Sequence, residues 1–370
     1  MNPNLEPLIS TLEEVMTMDD LKAFFDSGKP LRHYIGFEIS GQVHLGTGLM
    51  TMRVIKELQK LGVETNIWLA DWHSVINHKL GGDPKVIREL AISYFKEAMI
   101  ASALCVGVDV EKLHFKLAND YYDNDFWMTT VEVAKNVTLS RAKRSVDITG
   151  REAGEEMKTA LLFYPMMQVA DIYHLGIHLA HAGSDQRKAH VVARDVASDI
   201  SFKPLMLGEK RVAPVGFHHH LLSGLLKPPV WPIPAEKKRE ILTSMKMSKS
   251  KPDSAIFLTD TPSEIERKIM GAFCPPCECE GNPVIDWVEN IVLPLRGELV
   301  IERPEKWGGE LIINSASKLR DTYTCEQLHP QDLKIALSKA ITEILEPARK
   351  YFENTDRLAA LEKIKSLTSR

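Results

Sequence analysis

His33-Tyr34-Ile35-Gly36-Phe37-Glu38-Ile39-Ser40-Gly41-Gln42-Val43-His44-Leu45-Gly46-Thr47-Gly48 is the stretch that decides the fold. It opens on an apolar run of strand character, and Leu49 to Leu61 beyond it is amphipathic at helical spacing. A strand, a glycine-bearing turn and a helix start therefore follow one another. At such a junction the first helical N–H groups lack internal partners and the helix dipole favours negative charge, so phosphate is welcome. His44 adds a side-chain donor at the turn. Far along the chain, Lys246-Met247-Ser248-Lys249-Ser250 sets two lysines among small hydroxyl residues, a flexible clamp for polyphosphate. Either motif alone is weak, because lysine–serine stretches are commonly solvated loops. The ordered pair points to a bound nucleoside triphosphate.

Outward from this stretch, strand-like and helix-like runs alternate. Residues 33–37, 64–70, 112–116 and 177–182 read as strands; 49–61, 84–104, 126–140, 160–175 and 186–196 read as helices. Continuous apolar strands alternating with helices predict an α/β fold, a parallel sheet covered on both faces. Ligands of such sheets bind beyond the carboxyl ends of the strands. His44, Ala70 to His73 and Gly183 to Gln186 each follow a predicted strand, so they are expected to converge on one crevice. Residues 7–27 read as a helical segment with acidic clusters. The stretch 201–243 is rich in proline and is expected to be dominated by loops, with His218-His219-His220 turned outward. After about 261 the pattern becomes helical, over 262–272, 283–292, 315–319 and a long run from 332 to 367.

The chain has 370 residues, 44% of them hydrophobic and 26% charged, which suits a globular protein of two domains. No apolar run is long enough to span a bilayer, and Met1 to Glu6 lacks a basic-then-apolar signal pattern, so no membrane partner and a cytoplasmic location are expected. Five cysteines do not suggest a disulfide framework. Cys274, Cys277 and Cys279 cluster, but no second cysteine or histidine pair stands nearby, so a turn with reduced thiols is expected and no metal site. A net charge of −4 supplies no general attraction for nucleic acid, and DNA is not an expected partner. Basic groups at Arg141, Lys143, Arg144 and Arg151, at 237–239 and at 246–251 are permissive for RNA, no more.

The most discriminating local feature is the run Ala160 to Leu175. Tyr164, Gln168 and Asp171 follow i, i+4, i+7 and share one face of an otherwise apolar helix. A buried carboxylate requires a partner. The stripe is either a satisfied structural network or a polar pocket for a ligand bearing an ammonium group or a hydroxyl. Gln186 and Tyr34, each beside a predicted strand end, are placed to complete such a pocket.

These residues resemble a known family. Tyr34 to Thr47 is similar to the first signature of class I aminoacyl-tRNA synthetases, and Lys246 to Ser250 to the second. Tyr164-Pro165-Met166-Met167-Gln168-Val169-Ala170-Asp171 with Gly183-Ser184-Asp185-Gln186 resembles the amino-acid pocket of tyrosyl-tRNA synthetases of the archaeal and eukaryotic type. Leu328 to Lys334 resembles the anticodon-reading segment of that group, and Arg303 to Gly309 another of its C-terminal blocks. The resemblance runs from about residue 30 to 350. It implies a Rossmann-like catalytic domain over 1–260, with an inserted connective and dimerisation segment at about 118–163 and a lysine loop at 246–250. A helical anticodon-binding domain over 261–370 would follow.

The resemblance also implies roles. Tyr34 and Asp171 would bond the phenol hydroxyl of substrate L-tyrosine; Tyr164, Gln168 and Gln186 would hold its ammonium group; Glu38 and His73 would line the same pocket. Gly36, His44, Gly46, Ala70, Gly183, Asp185 and Lys246, Met247, Ser248, Lys249 and Ser250 would meet ATP. His44, Thr47, Lys246 and Lys249 would stabilise the reacting phosphate, with Mg²⁺ bridging phosphates. Trp307, His329, Pro330 and Asp332 would read the anticodon of tRNA(Tyr), and Arg141, Lys143, Arg144, Arg187 and Lys188 are candidates to meet its acceptor end. A homodimer is implied, through about Phe126 to Arg144. The sequence departs from the family in Thr47, which stands where a histidine is common, and in the long 201–243 stretch. Two rival readings remain at this level: a tryptophanyl-tRNA synthetase, and an RNA-binding relative that has lost catalysis.

Overall fold

The computed structural model describes residues 4–146, 158–247, 249 and 251–368. Arg151, Ser248, Ser250 and the centre of the 118–163 stretch, all named above, lie outside the described residues. The chain forms two compact units, one comprising Met1–Gly41, Arg53–Lys96 and Asp109–His220, the other Gln42–Met52, Glu97–Val108 and Leu221–Arg370.

The first unit is built on a six-stranded sheet. Its strands are β1 (Glu14–Val15), β2 (Arg32–Phe37), β3 (Glu64–Leu69), β4 (Leu113–Leu117), β5 (Leu179–Gly183) and, after the two-residue pair β6 (Met206–Leu207) and β7 (Lys210–Arg211), β8 (Val215–His219). The spatial order is β1-β8-β5-β2-β3-β4. The four predicted strands lie together and parallel, with β2 between β3 and β5. They are apolar along their whole length because helices cover them. The helix Ala160–His174 buries Met166, Val169 and Ile172 in a core with Tyr34 and Trp68, and Asn124–Lys135 packs along it.

Two expectations fail here. Residues 7–27 are not one helix: Glu6–Ile9 and Met18–Asp26 flank β1, which pairs antiparallel with β8. The 201–243 stretch contributes a fully buried strand, β8, parallel to β5. Its histidines and preceding Pro214 masked the signal. Gly216 lets two neighbours approach, since a Cβ there would lie 2.7 Å from Met16 Sδ and 2.9 Å from His190 Cβ. His218 and His219 point inward rather than outward. His219 Nδ1 lies 2.8 Å from His181 Nε2, and His181 Nδ1 lies 3.1 Å from His33 Nε2. On the other face His218 joins His190 at 3.0 Å and Glu14 at 3.1 Å.

The second unit holds the start of the helix Leu45–Lys60, the helix Glu97–Val106 and the helices of the C-terminal part. Gly48 is required where it stands, because a Cβ would lie 2.3 Å from Ser102 Oγ. Pro262–Met270 opens on a capping box of Thr261 and Glu264. The long run expected from 332 to 367 is three helices, Pro330–Ile344, Glu346–Tyr351 and Thr355–Thr368, and a hairpin of β9 (Leu299–Ile301) and β10 (Leu311–Ile313) was not anticipated. Trp287, Tyr323, Leu337 and Ile341 are its fully buried centre.

Candidate active site

In the first unit a pocket gathers at the ends of β2, β3, β4 and β5. The helix Ala160–His174 supplies Tyr164, Gln168 and Asp171 on one face, as their spacing predicts. Asp171 is 2% exposed, and burial raises its pKa well above the carboxylate range, opposed by the Tyr122 hydroxyl and the Trp68 indole. Tyr122 donates to Asp171 Oδ1 at 2.9 Å. Tyr34, on β2, is close enough to this carboxylate for its charge to add to the effect of burial in keeping the phenol protonated. His73 packs edge-on to Tyr164, 4.5 Å between ring centroids, and burial lowers its pKa to about 4, so it is neutral. Tyr164 is kept protonated by burial and by its bond to Glu38. Glu38 accepts from Asn77 Nδ2 at 2.8 Å and lies 3.4 Å from Lys79 Nζ.

Three polar atoms of this pocket are buried without a hydrogen-bond partner among the described residues: Gln168 Oε1, His73 Nε2 and Trp68 Nε1. Buried polar groups are almost always satisfied, and an orphan costs on the order of 1–3 kcal/mol. Such atoms mark a place that a polar ligand fills. Gly36 faces Trp68 across β2 and β3, Ala70 follows β3 and caps the next helix, and Gly183 closes β5 just before Ser184, Asp185 and Gln186.

In the second unit the two signature motifs, remote in sequence, lie together. His44 bridges to Phe257 and Lys246 to Ser223. Met247 is buried, and its N–H reaches Leu222 O at 3.4 Å, which anchors one side of the lysine loop. Burial lowers the His44 pKa and the charges of Lys249 and Lys246 lower it further, so the imidazole is neutral. Its Nδ1 accepts from the Thr47 N–H at 3.3 Å, while Nε2 faces Thr47 Oγ1 at 3.3 Å. The backbone of Thr47 thus selects the tautomer with hydrogen on Nε2. Gly46 lies under the ring, where a Cβ would come 3.3 Å from Nδ1. The arrangement offers a neutral donor and two lysines to an anion.

A family profile described as "tRNA synthetases class I (W and Y)" matches residues 26–346. The chain belongs to this family. It is 50% identical over 344 residues to a tyrosine–tRNA ligase of Thermococcus sibiricus, covering 92% of each protein. A crystal structure of tyrosyl-tRNA synthetase complexed with L-tyrosine from Pyrococcus horikoshii superposes with a TM-score of 0.94 at 47% identity, covering 98% of this chain and all of that one. That of tyrosyl-tRNA synthetase from Aeropyrum pernix gives a TM-score of 0.82 at 34% identity, covering 98% of each chain.

The synthetase carries the remaining sequence-predicted residues on its surface. Trp307 is 66% exposed on a turn whose next two residues, Gly308 and Gly309, have positive φ. Arg303 ties that turn to the next segment, donating to Gly309 O at 3.0 Å and to Gln327 O at 2.8 Å. His329 caps the helix that Pro330 begins, accepting from the Gln331 N–H, and Asp332 sits in its first turn. Among the supposed acceptor-end contacts, Arg141 pairs with Asp195 and Arg187 with Glu14, while Arg144 is exposed. Among the described residues no three histidine, cysteine or acidic side chains are placed to hold a metal ion, and no helix is long and apolar enough to cross a membrane.

Sequence reasoning passed over Tyr122, Trp68 and Asn77. Tyr122 carried a usable signal: it follows β4 closely, as Gln186 follows β5. It was overlooked because residues from 118 onward read as an insertion.

Proposed function

We infer that the synthetase is a tyrosine–tRNA ligase. The carboxylate of L-tyrosine attacks the α-phosphorus of ATP, forming the acyl–phosphate bond of tyrosyl-adenylate and releasing pyrophosphate. A terminal ribose hydroxyl of tRNA(Tyr) then attacks the acyl carbon and AMP leaves. The observation that carries the amino-acid assignment is the buried carboxylate of Asp171 with phenols around it. A site built to bond a hydroxyl leaves buried groups unpaired when phenylalanine enters, a form of rejection for which enzymes of this family are the standard example. Gln168 Oε1 is an acceptor suited to the substrate ammonium group, with Tyr164 one turn away on the same helix and Gln186, just past β5, as a further candidate.

Because a carboxylate is already nucleophilic, the protein has to position the reactants and stabilise charge at phosphorus. His44 serves through Nε2–H, Thr47 by holding that imidazole, and Lys246 and Lys249 by closing on the departing pyrophosphate. Mg²⁺ entering with the nucleotide would supply neutralisation of phosphate charge. Residues 1–260 carry activation and 261–370 read the anticodon, with Trp307 stacking on a base near His329, Pro330 and Asp332.

A homodimer is supported by the helix Asn124–Lys135, which exposes Trp127, Met128 and Val131 on one side, with Leu139 beyond it. The cytoplasm is supported by five cysteines that are all free. The experiment is pyrophosphate–ATP exchange driven by each amino acid in turn. Tyrosine alone should move label into ATP; tryptophan doing so would install the rival enzyme, and no exchange would leave an RNA-binding relative.

A further inference from the structure

Asp171 meets two phenols, and the reading of the pocket as a tyrosine site gives a substrate-facing role to only one of them. Tyr34 belongs to the central strand β2. Tyr122 comes from a different element, just past β4, and its ring is held by aromatic neighbours, Trp68 on β3 among them at 6.0 Å between centroids. It stacks on Phe126 with ring planes 6° apart and meets the edge of Trp127 at 6.1 Å between centroids. From that seat its hydroxyl donates to Asp171 Oδ1 at 2.9 Å, and it lies 3.5 Å from His73 Nδ1. The ring alone would satisfy the packing, so the hydroxyl is the part that needs a reason.

A carboxylate has two oxygens and room for about four donors, so one bond from Tyr122 leaves capacity for another phenol. It also restricts the rotation of the carboxylate. We infer that Tyr122 is a specificity-determining positioning residue, whose hydroxyl orients the Asp171 carboxylate to receive the hydroxyl of substrate tyrosine. This rests on the assignment of the pocket to tyrosine. A donor to the carboxylate also favours its charged form against the burial that opposes it. The groups acting on Asp171 are Tyr34 from β2, Trp68 from β3, Asp71 from the helix after β3, Tyr122, and Tyr164 from its own helix, with His73 beyond Tyr122. Asp71, engaged by Arg88 at 2.7 Å, adds like charge and makes the Tyr122 donor matter more.

The test is Tyr122→Phe, which keeps the stacked ring and deletes the donor. In tyrosine-dependent exchange KM for tyrosine should rise about tenfold with kcat within about twofold, as expected for a lost bond to a charged group. The inhibition constant of phenylalanine, read as a competitor, should stay within about twofold, because phenylalanine never used Asp171. The acid limb of 1/KM for tyrosine should move to higher pH. Equal losses for tyrosine and phenylalanine, an unmoved KM or pH profile, or a Y122F protein that does not fold would each overturn the inference. Asp171→Asn run in parallel separates the two levels. If it leaves the tyrosine–phenylalanine ratio intact, the pocket assignment falls; if it collapses the ratio and Y122F does not, only the role of Tyr122 falls.

Discussion

The pocket proposed for the amino acid in the first unit and the motifs proposed for phosphate in the second pose opposite problems. In the pocket, Asp171, Tyr34, Tyr122, His73 and Tyr164 are desolvated and hold one another by short bonds and ring contacts. In the motif pair, Lys246 is exposed, Lys249 is half-buried, and the flanks of their loop are pinned by Ser223 and Phe257. Discrimination between similar side chains requires groups that cannot relax to suit the wrong one. Stabilising charge that moves from substrate to leaving group requires cations that can follow it. A tRNA ligase of this kind therefore separates selectivity from rate by burial.

That contrast can be broken most forcefully at Lys249. Lys249→Ala should slow tyrosine-dependent pyrophosphate exchange by about a hundredfold to a thousandfold while KM for tyrosine stays within about twofold. Parallel losses in both would mean that the loop serves binding and that the division is false. A smaller effect is expected at the exposed turn of the second unit. Trp307→Ala should raise KM for tRNA in aminoacylation about tenfold, the worth of one stacked base, and leave exchange unchanged. A fall in exchange would make Trp307 structural.

The smallest and most diffuse effect separates the units by acid. In the first unit burial depresses His33 and His190 to about 3 and His219 to about 4, from an ordinary value of 6.5, and lowers His181 and His218 as well. The unfolded chain binds these protons below pH 6.5 and the fold does not, so their contribution is complete above 6.5 and is lost as pH falls towards 4. The slope is at most about 1.4 kcal/mol per pH unit for each such histidine. Asp71 and Asp171, raised by burial, act in the opposite sense, but they are fewer. The second unit contains only His44 and His329. Amide hydrogen exchange corrected for intrinsic rate should show β2, β5 and β8 losing protection at pH 5 while Pro330–Ile344 keeps it. Equal losses would show that the histidine pairs do not control the sheet.

Much of this was legible residue by residue. The strand at 33–37, the stripe at 164, 168 and 171 and the two signatures are local patterns, with periodicity and composition sufficient to read them. β8 was not legible, because a five-residue strand with two histidines after a proline has the composition of a loop; only its place between β5 and β1 shows it to be core. The inward turn of His218 and His219 has the same origin, since each imidazole is satisfied by a partner from another element. Tyr122 was hidden for a further reason: a tyrosine in an apparent insertion has no pattern of its own, and its meaning comes from an aspartate 49 residues away.

The sequence by itself determined the four central parallel strands, the residue types able to grip phosphate and the carboxylate face of the buried helix, because these depend on neighbours within a few positions. The tertiary structure decided which phenols reach Asp171, which imidazoles pair, and that Thr47 turns to His44. Those outcomes rest on distances between elements far apart in the chain, where hydrogen-bond geometry and desolvation act and local pattern carries no information.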